Sequence, residues 1–481
     1  MAEDVDTSSR GFVIVMPAIA DQADEPEHPE HTSHPAFQNA DSGLLYPLVR
    51  YGDLITTRYP YRKLRNGQIR LLKLFPKSFV KTLLQSRPDT GTGRDITVET
   101  LHGDLIDVNI ADSDKLAYTC LSYAWGTEAQ TTPIWIQDYR VGITPTLSRA
   151  LRCLMRQDEP RLVWVDFICI NQDDLVERKE QVELMYQIYH GAEDVCVYLG
   201  DEEDGSENVA VLLTDILRAM RSKSELGTTV LSVQKDLLPP RESHVWRCLR
   251  KVLERPWFTR VWVVQEAIAG KELMVICGRW GMSGRSFFLA VEAGVDQELP
   301  FMPTTDDGNS WTAPIASSLR QIMLMGQLGI YFARNERVEQ AMPAWRRDWS
   351  LLDLLERSRH AKSTDPRDRV FAFLNLCRER GEKSLGPDYT ETVAETYLRV
   401  AKFFVEKGGE AVSRLLCNAL LSESTLILPS WVPDWSLSNL PFENIAPEPY
   451  QGEIQMPSAG GTEGDFNLEG SYNGLRLSTK V

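Results

Sequence analysis

Glu266 and Trp262 are the pair of side chains whose types and spacing best suit chemistry. They stand four residues apart after Thr259, where the sequence predicts a helix over 260–269, so both lie on one helical face. An indole ring one turn before a carboxylate suits a ligand that is flat at one end and becomes cationic during reaction. Spacing alone fits an amphipathic helix with a solvent-facing glutamate more simply, so both interpretations stay open.

Glu177 is the second glutamate that stands out by its placement. It follows Asp174 by three residues at the predicted start of a helix, a spacing typical of a capping box. In that motif the carboxylate accepts a hydrogen bond from the backbone N–H of the N-cap residue, so the pattern favours a structural role. Glu177 and its neighbour Arg178 are therefore secondary candidates for the site.

Alternating strands and helices must position these side chains. Short apolar runs rich in β-branched and aromatic residues predict buried strands at Tyr118–Trp125, Leu162–Ile170, Val195–Leu199 and Leu273–Cys277. Helices are predicted near 146–156, 178–190, 207–221 and 260–269, with a hairpin at 134–143. This order predicts an α/β fold: a mostly parallel sheet flanked by helices, with a hairpin insertion and a mainly helical C-terminal region.

The carboxyl ends of the predicted strands bring further polar and aromatic side chains together. In open parallel sheets, ligands bind beyond these ends. The side chains concerned are Ser122, Tyr123, Trp125, Asp166 and Asn171. We expect the first four to converge on one cleft with Glu266. Because this rim carries no histidine, acid–base chemistry there must come from carboxylates.

Composition and motif content exclude several classes of protein. The chain of 481 residues has a net charge of −16, which argues against a nucleic-acid-binding surface. It lacks glycine-rich phosphate loops and the GxSxG nucleophile elbow. Its eight cysteines contain no CxxC pair, so no metal site is expected. No apolar stretch is long enough to span a membrane and the N-terminus is acidic, so we expect a cytoplasmic protein.

The chain divides into five predicted segments. Residues 1–44 are predicted to be disordered, 45–94 a basic lead-in, 95–280 the α/β domain, 281–446 the helical region and 447–481 a flexible tail. The lead-in has nine Lys or Arg and no acidic residue between Arg58 and Arg87. It fits a domain-edge strand and helix with a solvated basic face, or a surface that docks on an anionic membrane or an acidic partner.

Several long motifs resemble the signature of the fungal heterokaryon incompatibility (HET) domain. They are YTCLSYAWG (118–126), LVWVDFICINQ (162–172), PWFTRVW (256–262) with Gln265 and Glu266, TDPRD (364–368) and LPSWVPDWS (428–436). They follow one another in the family's order and spacing over about residues 45–440. The resemblance implies a HET domain at 95–280, in a protein of non-self recognition and programmed cell death.

The same residues resemble, more remotely, the Toll/interleukin-1 receptor (TIR) domain. Leu121-Ser122-Tyr123 ends a strand as the corresponding TIR run does. Trp262 and Glu266 reproduce the tryptophan-to-glutamate spacing of a TIR motif, with Val263 in place of its cysteine. In NAD-cleaving TIR domains that glutamate is catalytic. The resemblance therefore implies a TIR/flavodoxin-like fold, with Glu266 cleaving NAD to nicotinamide and ADP-ribose without a cofactor.

The resemblance also suggests roles for the rest of the rim and for partners. Trp125 or Trp262 would stack on a flat ring of NAD, while Asp166 and Asn171 would hold ribose hydroxyls. Because TIR-type enzymes commonly assemble to complete their sites, self-association or binding of another incompatibility protein is expected. The alternative is a non-enzymatic HET recognition or scaffold module that signals through partner binding.

Overall fold

The computed structural model describes most of the chain between residues 59 and 437. The described residues are 13–14, 59–85, 100–302 without 138, 226 and 227, 314–328, 349–420, 424, 426–437, 466–469 and 476–479. The segments predicted to be disordered (1–44) and flexible (447–481) thus lie outside the described residues, apart from three short strands.

The elements are numbered in chain order. The strands are β1 (Val13–Ile14), β2 (Gln68–Leu74), β3 (Leu101–Asn109), β4 (Tyr118–Tyr123), β5 (Thr132–Ile136), β6 (Tyr139–Ile143), β7 (Arg161–Trp164), β8 (Asp194–Tyr198), β9 (Met220–Glu225), β10 (Thr228–Val233), β11 (Leu273–Cys277), β12 (Trp280–Ser283), β13 (Phe466–Glu469) and β14 (Arg476–Thr479). The α-helices are α1 (Lys77–Gln85), α2 (Pro145–Leu154), α3 (Asp166–Cys169), α4 (Leu175–Gly191), α5 (Val209–Ala219), α6 (His244–Leu253), α7 (Val263–Ala269), α8 (Gly284–Asp296), α9 (Pro314–Leu328), α10 (Leu351–Arg357), α11 (Asp368–Phe371), α12 (Val393–Lys407) and α13 (Glu410–Leu420). Short 3₁₀ helices occupy Ile110–Lys115, Ser206–Asn208, Lys235–Leu237, Pro256–Thr259 and Lys383–Leu385.

One large mixed sheet carries the candidate site. Its strand order is β1-β12-β11-β8-β4-β7-β2-β3-β5-β6. The central strands β11, β8, β4 and β7 run parallel, and helices such as α2 and α8 pack against strands of the sheet. On β4, Cys120 pairs with Val195 on one side and with Trp164 on the other. These features confirm the predicted α/β fold, in which strand carboxyl ends meet at one edge.

The predicted hairpin and the predicted helical region are also present. Strands β5 and β6 pair antiparallel and join the sheet beside β3. Helices α8 to α13 make up most of the described part of the chain after β12. No helix among the described residues is long and apolar enough to cross a membrane.

The strand predicted at Leu162–Ile170 is wrong in its second half. Strand β7 ends at Trp164, and Asp166–Cys169 forms one helical turn in which the Cys169 N–H donates to the Val165 carbonyl at 2.8 Å. The Asp166 carboxylate accepts a hydrogen bond from the Phe167 N–H at 2.7 Å, which favours this turn. Ile168 and Cys169 are buried on the helical turn, as they would be on a strand. The continuous apolar run in the sequence therefore does not show where the strand ends.

Strand β2 and helix α1 come from the basic lead-in segment. Strand β2 pairs antiparallel with both β7 and β3, so it lies inside the sheet and the expected domain-edge strand is wrong. The reason is that β3, from later in the chain, covers its outer side. Cations such as Arg62, Arg65 and Lys81 are exposed, whereas Arg70 on β2 is buried.

Apolar side chains form two large buried clusters. One contains residues of β2, β4, β7, α2 and α4, and the other joins α5–α8 to the C-terminal helices. In the second cluster, Phe258 stacks on Phe287 with ring centroids 5.9 Å apart. Trp262 packs against both clusters. The C-terminal region therefore shares its core with the residues just before Glu266.

Candidate functional site

Glu266 meets the carboxyl end of the central strand β4. The Ser122 hydroxyl donates a hydrogen bond to Oε2 of Glu266, and the Trp257 indole N–H donates to the Ser122 oxygen at 2.8 Å. Ser122 and Glu266 are each only 1% exposed. The hydroxyl is thus held on one side by the indole and presents its proton to the carboxylate.

Burial gives this carboxyl group an unusual pKa. Removal from water raises the pKa of Glu266 from 4.5 to about 7; Arg260 and the Ser122 hydrogen bond oppose the rise, and the nearby Asp166 adds to it. No ion pair with Glu266 occurs within the described parts of the chain. A carboxyl with a pKa near neutrality can exchange its proton under working conditions, as acid–base catalysis requires.

Asp166 is the second carboxylate at this edge. The Trp125 indole N–H donates to both of its oxygens, at 3.1 and 2.9 Å. Burial raises the pKa of Asp166, and Arg260 opposes that rise. The Trp125 ring packs edge-on against Phe167, with centroids 5.4 Å apart. Trp125 therefore orients Asp166 through a hydrogen bond.

Arg260 is a site residue that the sequence reasoning missed. Its guanidinium donates to the Tyr123 carbonyl at the end of β4, and its charge lowers the pKa of both Glu266 and Asp166. The signal for it was present in the sequence, since Arg260 is the sole cationic residue between Arg255 and Lys271. It supplies a positive charge that favours the ionised form of both neighbouring carboxyls.

The Tyr123 hydroxyl is a polar group in this cluster that lacks a partner. Tyr123 is 2% exposed, and its hydroxyl has no hydrogen bond to any described residue. Burial raises the pKa of Tyr123, with Asp166 and Glu266 adding to the rise and Arg260 opposing it. An unsatisfied buried hydroxyl costs about 1–3 kcal/mol. A hydroxyl of a bound ligand would remove that cost.

Helix α7, which carries Glu266, begins later than predicted. Pro256–Thr259 is a 3₁₀ turn, and Trp262 is the N-cap residue of α7. Thr259 does not cap the helix, because its hydroxyl donates to the Pro256 carbonyl at 3.0 Å. The backbone around Arg260 is extended and bridged to Lys362, so the helix starts only beyond it.

Trp262 faces the C-terminal region. Its carbonyl accepts the Glu266 N–H at 3.1 Å, so the two residues lie one helical turn apart as expected. Its side chain hydrogen-bonds Asp368, and Arg178 lies nearby with its guanidinium carbon 4.0 Å from the Tyr389 ring centre. The stacking role suggested for Trp262 stays a prediction.

Glu177 does not complete a capping box. Asp174 does cap helix α4, accepting the Val176 and Glu177 N–H groups at 3.0 and 3.1 Å. The Glu177 carboxylate instead accepts two hydrogen bonds from the Arg70 guanidinium, at 2.5 and 2.9 Å, and one from the Asn171 N–H at 2.7 Å. Local spacing could not reveal this, because Arg70 lies 107 residues earlier in the chain.

The structure therefore divides the predicted site residues into three groups. The group at the end of β4 contains Ser122, Tyr123, Trp125, Asp166 and Glu266, joined by Arg260. Asn171 belongs with Glu177 and Arg70. Arg178 and Trp262 belong with Tyr389 and Asp368.

The described residues also bear on a metal site and on a separate cavity. Within the described ranges, no three His, Cys, Asp or Glu side chains are grouped so that they could hold a metal ion. A cavity of about 570 Å³ opens between α4 and the segment 371–399, and none of the residues grouped above lines it. Its lining mixes acidic and basic side chains, with Lys179, Glu183 and Lys383 among them.

Comparisons with known proteins connect this chain with one family. Residues 118–266 match the family model described as heterokaryon incompatibility protein (HET). The chain is 27% identical over 372 residues to heterokaryon incompatibility protein 6, OR allele, of Neurospora crassa. The match covers 66% of this chain and 53% of that relative, so the chain spans about half of the relative's length. No solved structure matches significantly. The matched segment begins at β4 and ends at Glu266, so the whole group at the end of β4 lies within the part of the chain that is similar to HET proteins.

Proposed function

We propose that this protein acts in fungal heterokaryon incompatibility, where it recognises non-self and triggers programmed cell death by cleaving NAD. The HET domain and the relative's name support the first part. The observation that supports the second is the buried Glu266 carboxyl at the end of β4, with its pKa raised to about 7. Cytoplasmic NAD is the proposed substrate, so the protein would work in the cytoplasm.

The reaction breaks the bond between the ribose C1′ and the nicotinamide nitrogen. Nicotinamide leaves as a neutral molecule with the bonding electron pair, and the ribose gains oxocarbenium character. The Glu266 carboxylate stabilises that positive charge. Water then adds at C1′ and gives up a proton, which leaves ADP-ribose. Glu266 acts in its ionised form, and the approaching positive charge favours that form.

The neighbours of Glu266 supply binding and orientation. The Tyr123 hydroxyl, which lacks a hydrogen bond to any described residue, and the Asp166 carboxylate would hydrogen-bond ribose hydroxyls. The role suggested for Asn171 stays a prediction; its backbone N–H donates to Glu177 at 2.7 Å. Arg260 favours the ionised form of both carboxyls before substrate arrives, because its charge lowers their pKa values.

Burial of the site suggests how activity is controlled. Ser122 and Glu266 are each 1% exposed, so NAD reaches them only after neighbouring elements move. We propose that self-association, or association with another incompatibility protein, stabilises the open arrangement. Activity should then depend on protein concentration.

Nicotinamide release tests this function directly. Purified protein is incubated with NAD over a range of protein concentrations, and Glu266→Gln is compared with wild type. Release should increase more than proportionally with wild-type concentration and fall by about 100-fold or more in the variant. Glu183→Gln, an exposed carboxylate on α4, is the matched control and should behave like wild type. Absence of release at every concentration, or full activity of Glu266→Gln, would refute NAD cleavage.

A non-enzymatic recognition module is the second candidate function. The observation favouring it is that Trp257, Ser122 and Glu266 hydrogen-bond one another in the protein interior, as structural networks do. In that case Glu266→Gln would retain cell-death activity on fusion of incompatible fungal cells, without any fall in cellular NAD.

A further inference from the structure

The segment that leads into helix α7 is attached to the C-terminal region by its backbone. The Val261 N–H donates to the Lys362 carbonyl at 2.9 Å, and the Lys362 N–H donates to the Thr259 carbonyl at 2.5 Å. Arg260 and Lys362 form a parallel bridge. Residues 259–261 therefore behave like one strand of a two-stranded ribbon, whose other strand belongs to the C-terminal region.

Two buried side chains strengthen this attachment. Gln321 on α9 donates its amide N–H to the Arg260 carbonyl at 3.0 Å, and its amide oxygen lies 2.9 Å from Nε2 of His360. Burial lowers the pKa of His360 to about 3, so its ring is neutral and donates to Gln321. The Gln321 amide thus connects the segment that precedes α7 to His360.

Asp368 joins three elements next to the attached segment. Its carboxylate accepts the Tyr389 hydroxyl at 2.8 Å and a side-chain hydrogen bond from Trp262. Arg178 on α4 packs over the same Tyr389 ring. Asp368 is buried, so losing it leaves the Trp262 indole N–H and the Tyr389 hydroxyl without this acceptor.

Trp262 transmits this contact to the candidate site. It is the N-cap residue of α7, and its carbonyl accepts the Glu266 N–H at 3.1 Å. Helix α7 has only seven residues, so a shift of its first turn moves Glu266 relative to Ser122. We infer that Asp368 is a positioning residue, which holds Trp262 so that Glu266 stays in hydrogen-bond contact with Ser122.

The inference concerns the site of the proposed function, but its first test needs no catalysis. The unfolding free energies of wild type and Glu266→Gln are compared as the pH is varied, and the midpoint of the change in their difference lies halfway between the pKa values of Glu266 in the unfolded and the folded chain. With Asp368 present this midpoint should lie between 4.5 and about 7. In an Asp368→Ala background it should move toward 4.5, because Glu266 leaves its buried position. Removal of the Asp368 charge alone does not explain such a shift, since the groups that act on Glu266 are Arg260, Ser122 and Asp166.

Three further variants separate positioning from general destabilisation. Asp368→Asn keeps an oxygen that accepts the indole N–H, so its midpoint should stay near that of wild type. Trp262→Phe removes the indole N–H and should shift the midpoint down, which also covers the case in which Asp368→Ala fails to fold. Glu379→Ala removes another buried carboxylate of the region, one that accepts the Leu351 N–H and pairs with Lys407. It should lower stability and leave the midpoint unchanged.

The results of these experiments distinguish the role of Asp368 from the proposed function. A midpoint that stays at the wild-type value in both Asp368→Ala and Trp262→Phe would overturn the inference, as would an equal shift in Glu379→Ala. In the activity assay, Asp368→Ala should lower kcat at least tenfold with a smaller change in KM, because substrate contacts remain. If wild type itself releases no nicotinamide, the proposed function fails, whereas the midpoint comparison still decides the role of Asp368.

Discussion

Glu177 and Glu266 are both buried glutamates near the carboxyl ends of neighbouring strands, yet they have opposite surroundings. Glu177, 6% exposed, is bound by both terminal nitrogens of the Arg70 guanidinium. Glu266, 1% exposed, has as its nearest donor the neutral hydroxyl of Ser122, which is itself held by Trp257. The comparison shows that burial alone does not mark a reactive carboxylate. Glu177 is fixed in an ion pair by a cationic donor, whereas Glu266 has a neutral donor and a pKa raised to about 7.

Removing the Arg70 cation from Glu177 should produce the largest change in the free energy of unfolding. Arg70→Met leaves the Glu177 carboxylate buried without its ion pair, so the free energy of unfolding should fall by about 3–5 kcal/mol. Arg65→Ala, an exposed cation of the same segment, should change it by less than about 0.5 kcal/mol in urea denaturation. The double variant Arg70→Met with Glu177→Met should recover much of the loss. If Arg70→Met lowers the free energy of unfolding by less than about 1 kcal/mol, the ion pair does not stabilise the fold.

Removing the ionisable group of Glu266 should raise the free energy of unfolding, whereas removing Arg70 should lower it. Folded Glu266 keeps its proton up to about pH 7, whereas the unfolded chain loses it near pH 4.5. Between these values the folded state binds more protons, so wild-type stability falls as the pH rises and the loss is complete above 7. Glu266→Gln should escape this loss and gain on the order of 3 kcal/mol relative to wild type between about pH 4 and pH 8. Denaturation curves at several pH values measure the difference in free energy of unfolding between Glu266→Gln and wild type. If this difference does not change with pH, the raised pKa is contradicted.

The same ionisation should appear in catalysis. Because the carboxylate form of Glu266 acts in the proposed reaction and its pKa is about 7, nicotinamide release should rise with pH. The rate at about pH 6 should be about one tenth of that at about pH 8. The Glu183→Gln control should show the same profile. A rate that is flat or falls over this range would mean that Glu266 works protonated or not at all.

Removing the neutral donor, the Ser122 hydroxyl, should cause the smallest change in stability. Ser122→Ala removes the hydroxyl that favours the ionised form of Glu266, so the midpoint of the pH–rate profile should move further upward. Stability should fall by about 1 kcal/mol, as expected for one hydrogen bond. Ser148→Ala on α2, also buried, is the matched control for loss of a hydroxyl and should leave the midpoint in place. A downward move in Ser122→Ala would show that the hydroxyl does not stabilise the carboxylate.

The sequence predicted elements whose signals are local and missed contacts whose partners are distant. Strands β4, β8 and β11 and the hairpin follow from apolar runs and alternation, and Asp174 was recognised as a cap from its neighbours. Arg70 lies 107 residues from Glu177, so the ion pair between them had no local signal. Ser122 and Glu266 lie 144 residues apart; strand topology placed them at one edge but could not show that they touch. The end of β7 was missed because an apolar turn and an apolar strand have the same composition.

The segment matched by the HET family depends on neighbouring strands and helices that lie outside it. The segment matched by the HET family begins with β4 and ends at Glu266, but β7 within it is flanked by β2, and β8 is flanked by β11. Strand β5 likewise pairs with β3, so excising the matched segment would open the edges of β5, β7 and β8 and would strip Phe287 from the ring of Phe258. The region recognised by sequence comparison is thus narrower than the cooperative folding unit. A transferable module that contains the matched segment therefore needs β2 and β3 before it, and β11 and α8 after it.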